Sequence, residues 1–218
     1  MTGLSTQQAS EPAVLDETQK NTAWVTIEIP AHVSKLFDFL HNPEHLYRLN
    51  PYLDIREWVE TSASKQFHLK ALNEMNGVTY DHLITVESVQ PNARILLNYD
   101  KGLKRALEIT MQARSSGSVL TLREHYHAPS EGDEHPEDQL KEVDHGLLPW
   151  ASSIRKYLSG LEKWGWFWPY RWYKESFWLN MRPTHRRISR MVIWVTVLEF
   201  VVFLFVFIIY WLELARKG

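Results

Sequence analysis

The chain has 218 residues and a formal net charge of −2 at pH 7, long enough for one good core plus an appendage. The charge is divided: residues 181–218 hold six Lys/Arg against two acids, leaving 18 bases and 24 acids in the first 180. So acidic a body does not present a basic nucleic-acid surface, and the absence of cysteine excludes disulfides, thiolate metal ligands and thiol nucleophiles.

Residues 1–21 read as a polar, flexible lead-in without the basic-then-apolar pattern of a cleaved export signal. "WVTIEI" (24–29) predicts a strand. In "PAHVSKLFDFLHN", Pro30 suits a first helical turn, and Val33, Leu36, Phe37 and Leu40 recur at helical spacing. Asn42-Pro43 breaks that helix, and "PEHLYRLNP" predicts a second, short one ending before Pro51. The period then changes to two. "IREWVE" (55–60), "KQFHLKALNEM" (65–75), "VTYDHLITVESV" (78–89), "ARILLNYD" (93–100), "LKRALEITMQAR" (103–114) and "SVLTLREHYHA" (118–128) all predict strands. Their junctions, Asn76-Gly77, Pro91-Asn92, Asp100-Lys101-Gly102 and Ser116-Gly117, are turn-like. "PSEGDEHPED" (129–138) reads as a charged surface loop, and Trp150, Ile154, Leu158, Leu161 and Gly165 follow the rhythm of a long amphipathic helix.

This order predicts an α+β helix-grip: a curved antiparallel sheet around a long C-terminal helix, followed by an interfacial aromatic segment and one transmembrane helix. A sheet of that kind leaves room between its concave face and the helix for an apolar guest.

Two stretches carry a family likeness. "VTIEIPAHVSKLFDFLHNPEHLYRLNPYL" (25–53) has a strand, a Pro-Ala helix start (Ile29–Ala31), a helix with Phe37, and Asn-Pro steps at Asn42-Pro43 and Asn50-Pro51. "DHGLLPWASSIRKYLSGLEKW" (144–164) matches a terminal helix. On these residues, residues 22–165 resemble the START-like, Bet v 1-like superfamily, in particular bacterial polyketide cyclase/dehydrase and lipid-transport proteins. Leu49 stands where the family usually has tryptophan before its second Asn-Pro step. The resemblance implies the fold and a cavity, but no universal catalytic motif. Its members include ligand carriers, aromatase/cyclases, oxygenase domains and ubiquinone-binding proteins of the Coq10 type. A quinone or other isoprenoid ligand is implied by that last subgroup alone.

Strand alternation nominates cavity-lining residues: Phe67 and Leu69; Tyr80, His82 and Ile84; Leu97 and Tyr99; Leu107 and Ile109. Alternation alone does not separate a ligand cavity from a filled core. "REHYHA" (123–128) places Arg123, His125 and His127 on one face, with His82 as a conceivable third metal ligand, but no carboxylate or cysteine completes a motif, and no metal or cofactor is expected. The alternative puts Leu120, Leu122 and Tyr126 inside and the histidines outside. Acid–base chemistry would draw on Tyr80, Asp81, His82, Tyr99 and Glu124, of which Asp81 and His82, being adjacent, point to opposite faces. No triad, phosphate loop or dinucleotide fingerprint is present, so no catalytic residue is assigned.

Six of the ten tryptophans lie between 150 and 178. Residues 166–190, entered at Trp164, read as an interfacial elbow. There Trp164, Trp166, Trp168 and Trp172 sit at headgroup depth and Arg171, Arg186, Arg187 and Arg190 reach for phosphate. Between Met191 and Leu212 only Thr196 and Glu199 are not apolar, and these residues span roughly 33 Å, about one hydrocarbon core. Residues 213–218 form a short tail. The arginines before the span predict a cytoplasmic N-terminal body and a C-terminus on the opposite side, in a bacterial setting the cell inner membrane.

Glu199 is not explained by anchoring, since a lone carboxylate at that depth costs several kcal/mol on insertion scales. Three readings stay open for it: a contact with integral-membrane partner subunits, a homodimer contact with Thr196 one turn back, or a protonated acid tolerated in lipid. For the whole chain, the expectation is membrane-anchored binding or transfer of an apolar or amphipathic lipid-like ligand, without bond making. An accessory or assembly subunit of a membrane complex is the first alternative and a membrane-tethered cyclase/dehydrase the second.

Overall fold

The computed structural model describes residues 21–61, 65–127 and 136–217, with residues 136–145 and 217 described by their backbone alone. All but the last residue of the lead-in expected at 1–21, and most of the charged loop expected at 129–138, lie outside these residues.

The strands form where period-two sequence predicted them: β1 (Thr22–Ile29), β2 (Leu53–Glu60), β3 (Gln66–Asn73), β4 (Thr79–Gln90), β5 (Arg94–Tyr99), β6 (Lys104–Arg114) and β7 (Gly117–Tyr126). They make one antiparallel sheet in the order β1-β7-β6-β5-β4-β3-β2. Chain neighbours therefore pair throughout β2–β7, and β1 closes on β7. Two short helices, α1 (Val33–Leu40) and α2 (Pro43–Arg48), carry the chain from one sheet edge to the other. The Nδ1 of His32 accepts from the Ser34 amide to cap α1, and the Asn42 side chain caps α2 ahead of Pro43 at the first turn. Turn chemistry matches the expected junctions, with positive φ at Gly77 (+74°), Asn92 (+59°) and Gly102 (+88°).

Three register shifts bend the sheet, at Ile55/Glu57, Val86/Ser88 and Lys104/Ala106. The concave face receives α3 (Pro136–Trp164). Leu147, Trp150, Ala151, Ile154, Tyr157 and Leu158 recur at i, i+3, i+4 and i+7 and are all buried. They meet Leu69, Ile84, Leu97, Leu107, Ile109, Leu120 and Leu122 from the sheet and Leu36, Leu40 and Leu46 from α1 and α2. Each such fully buried aliphatic side chain contributes about 1.5–3 kcal/mol. The helix starts earlier than its apolar stripe, so 136–138, expected in the loop, already belong to it. Pro136 suits that first turn, where a missing amide hydrogen costs nothing.

Beyond α3 come α4 (Trp168–Trp172), a single π-helical stretch (Tyr173–Trp178) and α5 (Pro183–Lys217). The apolar part of α5 is long enough to cross a membrane, and none of it is buried within the chain. A core helix would be covered, so α5 has the character of a membrane-spanning helix.

Candidate functional site

A cavity of about 290 Å³ lies between the concave face of the sheet and α3. That is at the lower edge of the ~300–1,000 Å³ typical of small-molecule sites. Its inner wall is apolar: Leu53 from β2, Leu69 from β3, and Leu147 and Trp150 from α3. The indole N–H of Trp150 donates to the Leu46 carbonyl at 2.8 Å, which fixes the ring and ties α3 to α2.

The polar groups are few and arranged in pairs. The hydroxyls of Tyr47 and Tyr99 are 2.6 Å apart. Loss of hydration pushes both phenols above their ordinary pKa, so both keep their protons. One O–H is used between them and the other remains to donate to a third group. Glu124 is 1 % exposed and accepts from Lys104 Nζ at 2.5 Å and from the Tyr126 hydroxyl. Burial of this carboxylate is offset by the ammonium beside it, so the pair adds no net charge to the cavity. His82 is held below its usual pKa, chiefly by burial and against the opposing pull of Asp100. Its Nδ1 is buried without a hydrogen bond, 3.8 Å from an Asp100 oxygen. Gly102 lets the ring sit there, because a Cβ on Gly102 would come within 2.8 Å of His82 Cε1.

Of the residues expected to line a cavity, the structure brings Leu69, Tyr80, His82 and Tyr99 to it. Ile84, Leu97, Leu107 and Ile109 are instead in the closed core, 0 % exposed, and Phe67 stacks on Trp58 at 5.4 Å. The reason is position along the strands. All nine share the inner face, but the cavity lies at the end of the sheet that carries the β3–β4 and β5–β6 turns, where Asn73, Met75, Val78, Gly102 and Leu103 line it. Lining residues that were not anticipated include Tyr47, Asn50, Lys104 and Trp150. Lys104 is the instructive one. By alternation it opposes Leu107 and Ile109, and the bulge at Lys104/Ala106 turns it inward. Glu124 was legible, because it shares parity with the buried Leu120, Leu122 and Tyr126.

Among the described residues no cluster of His, Asp and Glu suits a metal. His125 faces Glu108 at 3.2 Å, His127 is exposed, and Leu120, Leu122 and Tyr126 point inward, as in the second assignment of that strand. Asp81 turns away from the cavity and accepts from His68 at 2.8 Å.

Trp164 at the end of α3 is exposed, as are Trp166, Trp168, Arg171 and Trp172 in the segment between α3 and α5. Arg190 is exposed as well, as are Thr196 and Glu199 on α5. Arg186 is a correction: expected at lipid phosphate, it is 6 % exposed. Its guanidinium donates to the carbonyls of Trp178 (2.9 Å), Arg48 (2.5 Å) and Leu179 (2.8 Å) and stacks over the Trp178 ring at 4.7 Å. These carbonyls end α2 and the π-helical stretch, where backbone acceptors lack intrahelical partners and negative partial charge gathers. A planar fork satisfies several at once, which water at that buried point could not. Arg187 pairs with Glu74, which also accepts from Thr184 Oγ1 at 2.6 Å, and Arg182 lies 3.7 Å from Asp54. The first turn of α5 is thus docked on the body.

No family model matches the chain, nor does any curated protein at a significant level. Among solved structures, protein NE0264 from Nitrosomonas europaea is 15% identical, with a TM-score of 0.50 over 68% of this chain and 99% of that one. Protein CV1439 from Chromobacterium violaceum is 15% identical (TM-score 0.49, covering 64% and 98%). A START superfamily protein from Mycobacterium smegmatis is 13% identical (TM-score 0.49, covering 65% and 99%). The likeness to the Nitrosomonas protein shows a shared fold, and about a third of this chain has no counterpart in it.

Proposed function

We propose that the chain binds a neutral, apolar or amphipathic lipid-like ligand in its helix-grip cavity and holds that cavity at a membrane through α5. One observation carries the reading: the cavity is apolar apart from groups that cancel or remain neutral. Lys104 and Glu124 neutralise each other at 2.5 Å, burial disfavours the charged form of His82, and the Tyr47–Tyr99 pair retains one spare O–H donor. An anionic headgroup would meet no uncompensated cation there. A carbonyl or hydroxyl head would meet the spare phenol O–H. A quinone or another isoprenoid with a carbonyl head has this chemistry. The exposed tryptophans and Arg171 support an interfacial elbow, and the arginines before the span support a cytoplasmic body with the C-terminus across the membrane. The role is binding or transfer, without bond making.

Native mass spectrometry of the full chain, released from membranes in mild detergent, tests this. The expected result is a bound neutral lipid that Leu69→Trp, which fills the cavity, displaces. A chain free of lipid, or a Leu69→Trp variant that keeps it, overturns the reading.

A second reading, an accessory subunit of a membrane complex, is favoured by Glu199 and Thr196 lying on the uncovered surface of α5. It requires a co-purifying membrane partner that Glu199→Leu releases, and recovery of the chain alone in both forms would exclude it.

A further inference from the structure

We propose that the cavity opens onto the bilayer itself through the β3–β4 turn, so that ligand passes between cavity and lipid without crossing bulk water. This rests on the binding reading above and adds its route.

The argument begins at Glu74. Its carboxylate pairs with Arg187 and accepts from Thr184, both in the first turns of α5. Its neighbours in the chain, Asn73 and Met75, line the cavity. The membrane helix and the cavity rim are therefore joined through one residue. From Arg187 to Met191, where the apolar run starts, is four residues, about 6 Å of helical rise. The rim thus lies within the depth of a headgroup layer. The turn ends in two apolar side chains on the rim, Met75 and Val78, 42 % and 39 % exposed. It is also well braced. The Asn73 side chain accepts from the Met75 amide and that of Asn76 from the Val78 amide, each at 3.0 Å. The Glu74 amide donates to the Tyr52 carbonyl at 2.7 Å. A braced turn with an apolar tip, tied to a membrane helix, suits hydrocarbon better than water. Cavity size agrees: about 290 Å³ seats a ring or a short chain, so a longer tail leaves by the rim and stays in lipid.

The native chain has no cysteine, which makes the test direct. Full-length Val78→Cys and Gln112→Cys are each labelled with an environment-sensitive fluorophore and reconstituted alone in phosphatidylcholine vesicles. Gln112 is exposed near the opposite end of the sheet. The expected result is a blue-shifted emission, quenched by nitroxide-labelled lipid, at 78 and not at 112. Label at 78 as wet as at 112 overturns the route. If the same sample still carries lipid by mass spectrometry, the binding reading survives; if it carries none, that reading falls too. Glu74→Arg should weaken quenching at 78 and slow lipid uptake, and Glu74→Arg with Arg187→Glu should restore both. Unchanged quenching in Glu74→Arg overturns the role of the clamp.

Discussion

Replacing Arg186 with methionine removes the guanidinium while keeping much of its packing volume. Three hydrogen bonds from a charged donor are lost, at 2.5–2.9 Å, each contributing about 1.5–3 kcal/mol. The stacking on Trp178 at 4.7 Å contributes about 0.5–2 kcal/mol more. Against this, the wild-type chain bears the cost of burying a cation with no carboxylate among these three acceptors, several kcal/mol for such an ion. A net loss of about 2–3 kcal/mol is expected, which raises the population of locally opened elbow roughly 30- to 150-fold. Hydrogen exchange on the full chain in nanodiscs reads this directly. The amides of Leu179 and Met181 bond to the Lys174 and Phe177 carbonyls, each at 3.1 Å, and should exchange faster by that factor, while the sheet amides of β6 and β7 do not change. Arg187→Met is the comparison, because an exposed ion pair contributes at most about 1 kcal/mol. Equal exchange at Leu179 in the two variants would refute the idea that the carbonyl cage holds the elbow to the body.

Three further outcomes are expected. Gly102→Val places a Cβ 2.8 Å from His82 Cε1 at a φ of +88°; it should lower stability by about 1–3 kcal/mol in a thermal melt and cut lipid retention as the ring is pushed into the cavity. Tyr99→Phe leaves Tyr47 to donate directly to the ligand or stand unpaired, so ligand affinity measured by titration should change while stability falls by about 1–3 kcal/mol. Acid should destabilise the body through His82. Its folded pKa lies below the ordinary 6.5, so the unfolded chain binds more protons as pH falls below that value; stability is full above it and declines through the window beneath it. His82→Gln should flatten the decline in a pH series of melts and leave the part due to His45, which burial also lowers.

Much of the body was legible because its signals are local. Every predicted strand formed within a few residues of its expected ends, since period-two patterning and the Asn-Gly and Asp-Lys-Gly turns do not depend on distant partners. The inner face was legible too: Leu69, Ile84, Leu97, Leu107 and Ile109 do point inward. What alternation could not say is where along that face the space opens. Ile84 and Leu97 are as inward as Tyr80 and Tyr99, yet only the latter two reach the cavity. Lys104 enters it through a bulge, a two-strand property that one strand's sequence does not carry.

The membrane helix is the clearest case of what sequence alone determines. Twenty-two nearly unbroken apolar residues settle length and solvent preference by composition, because hydrocarbon burial needs no specific neighbour. The basic cluster before it shows the opposite. Four arginines within nine residues look alike in sequence, yet one caps carbonyls in the interior, one clamps the cavity rim, one sits by Asp54 and one stays exposed. Charge and reach are properties of the residue; the partner is not, since it depends on which acceptors the tertiary fold leaves unsatisfied at that point.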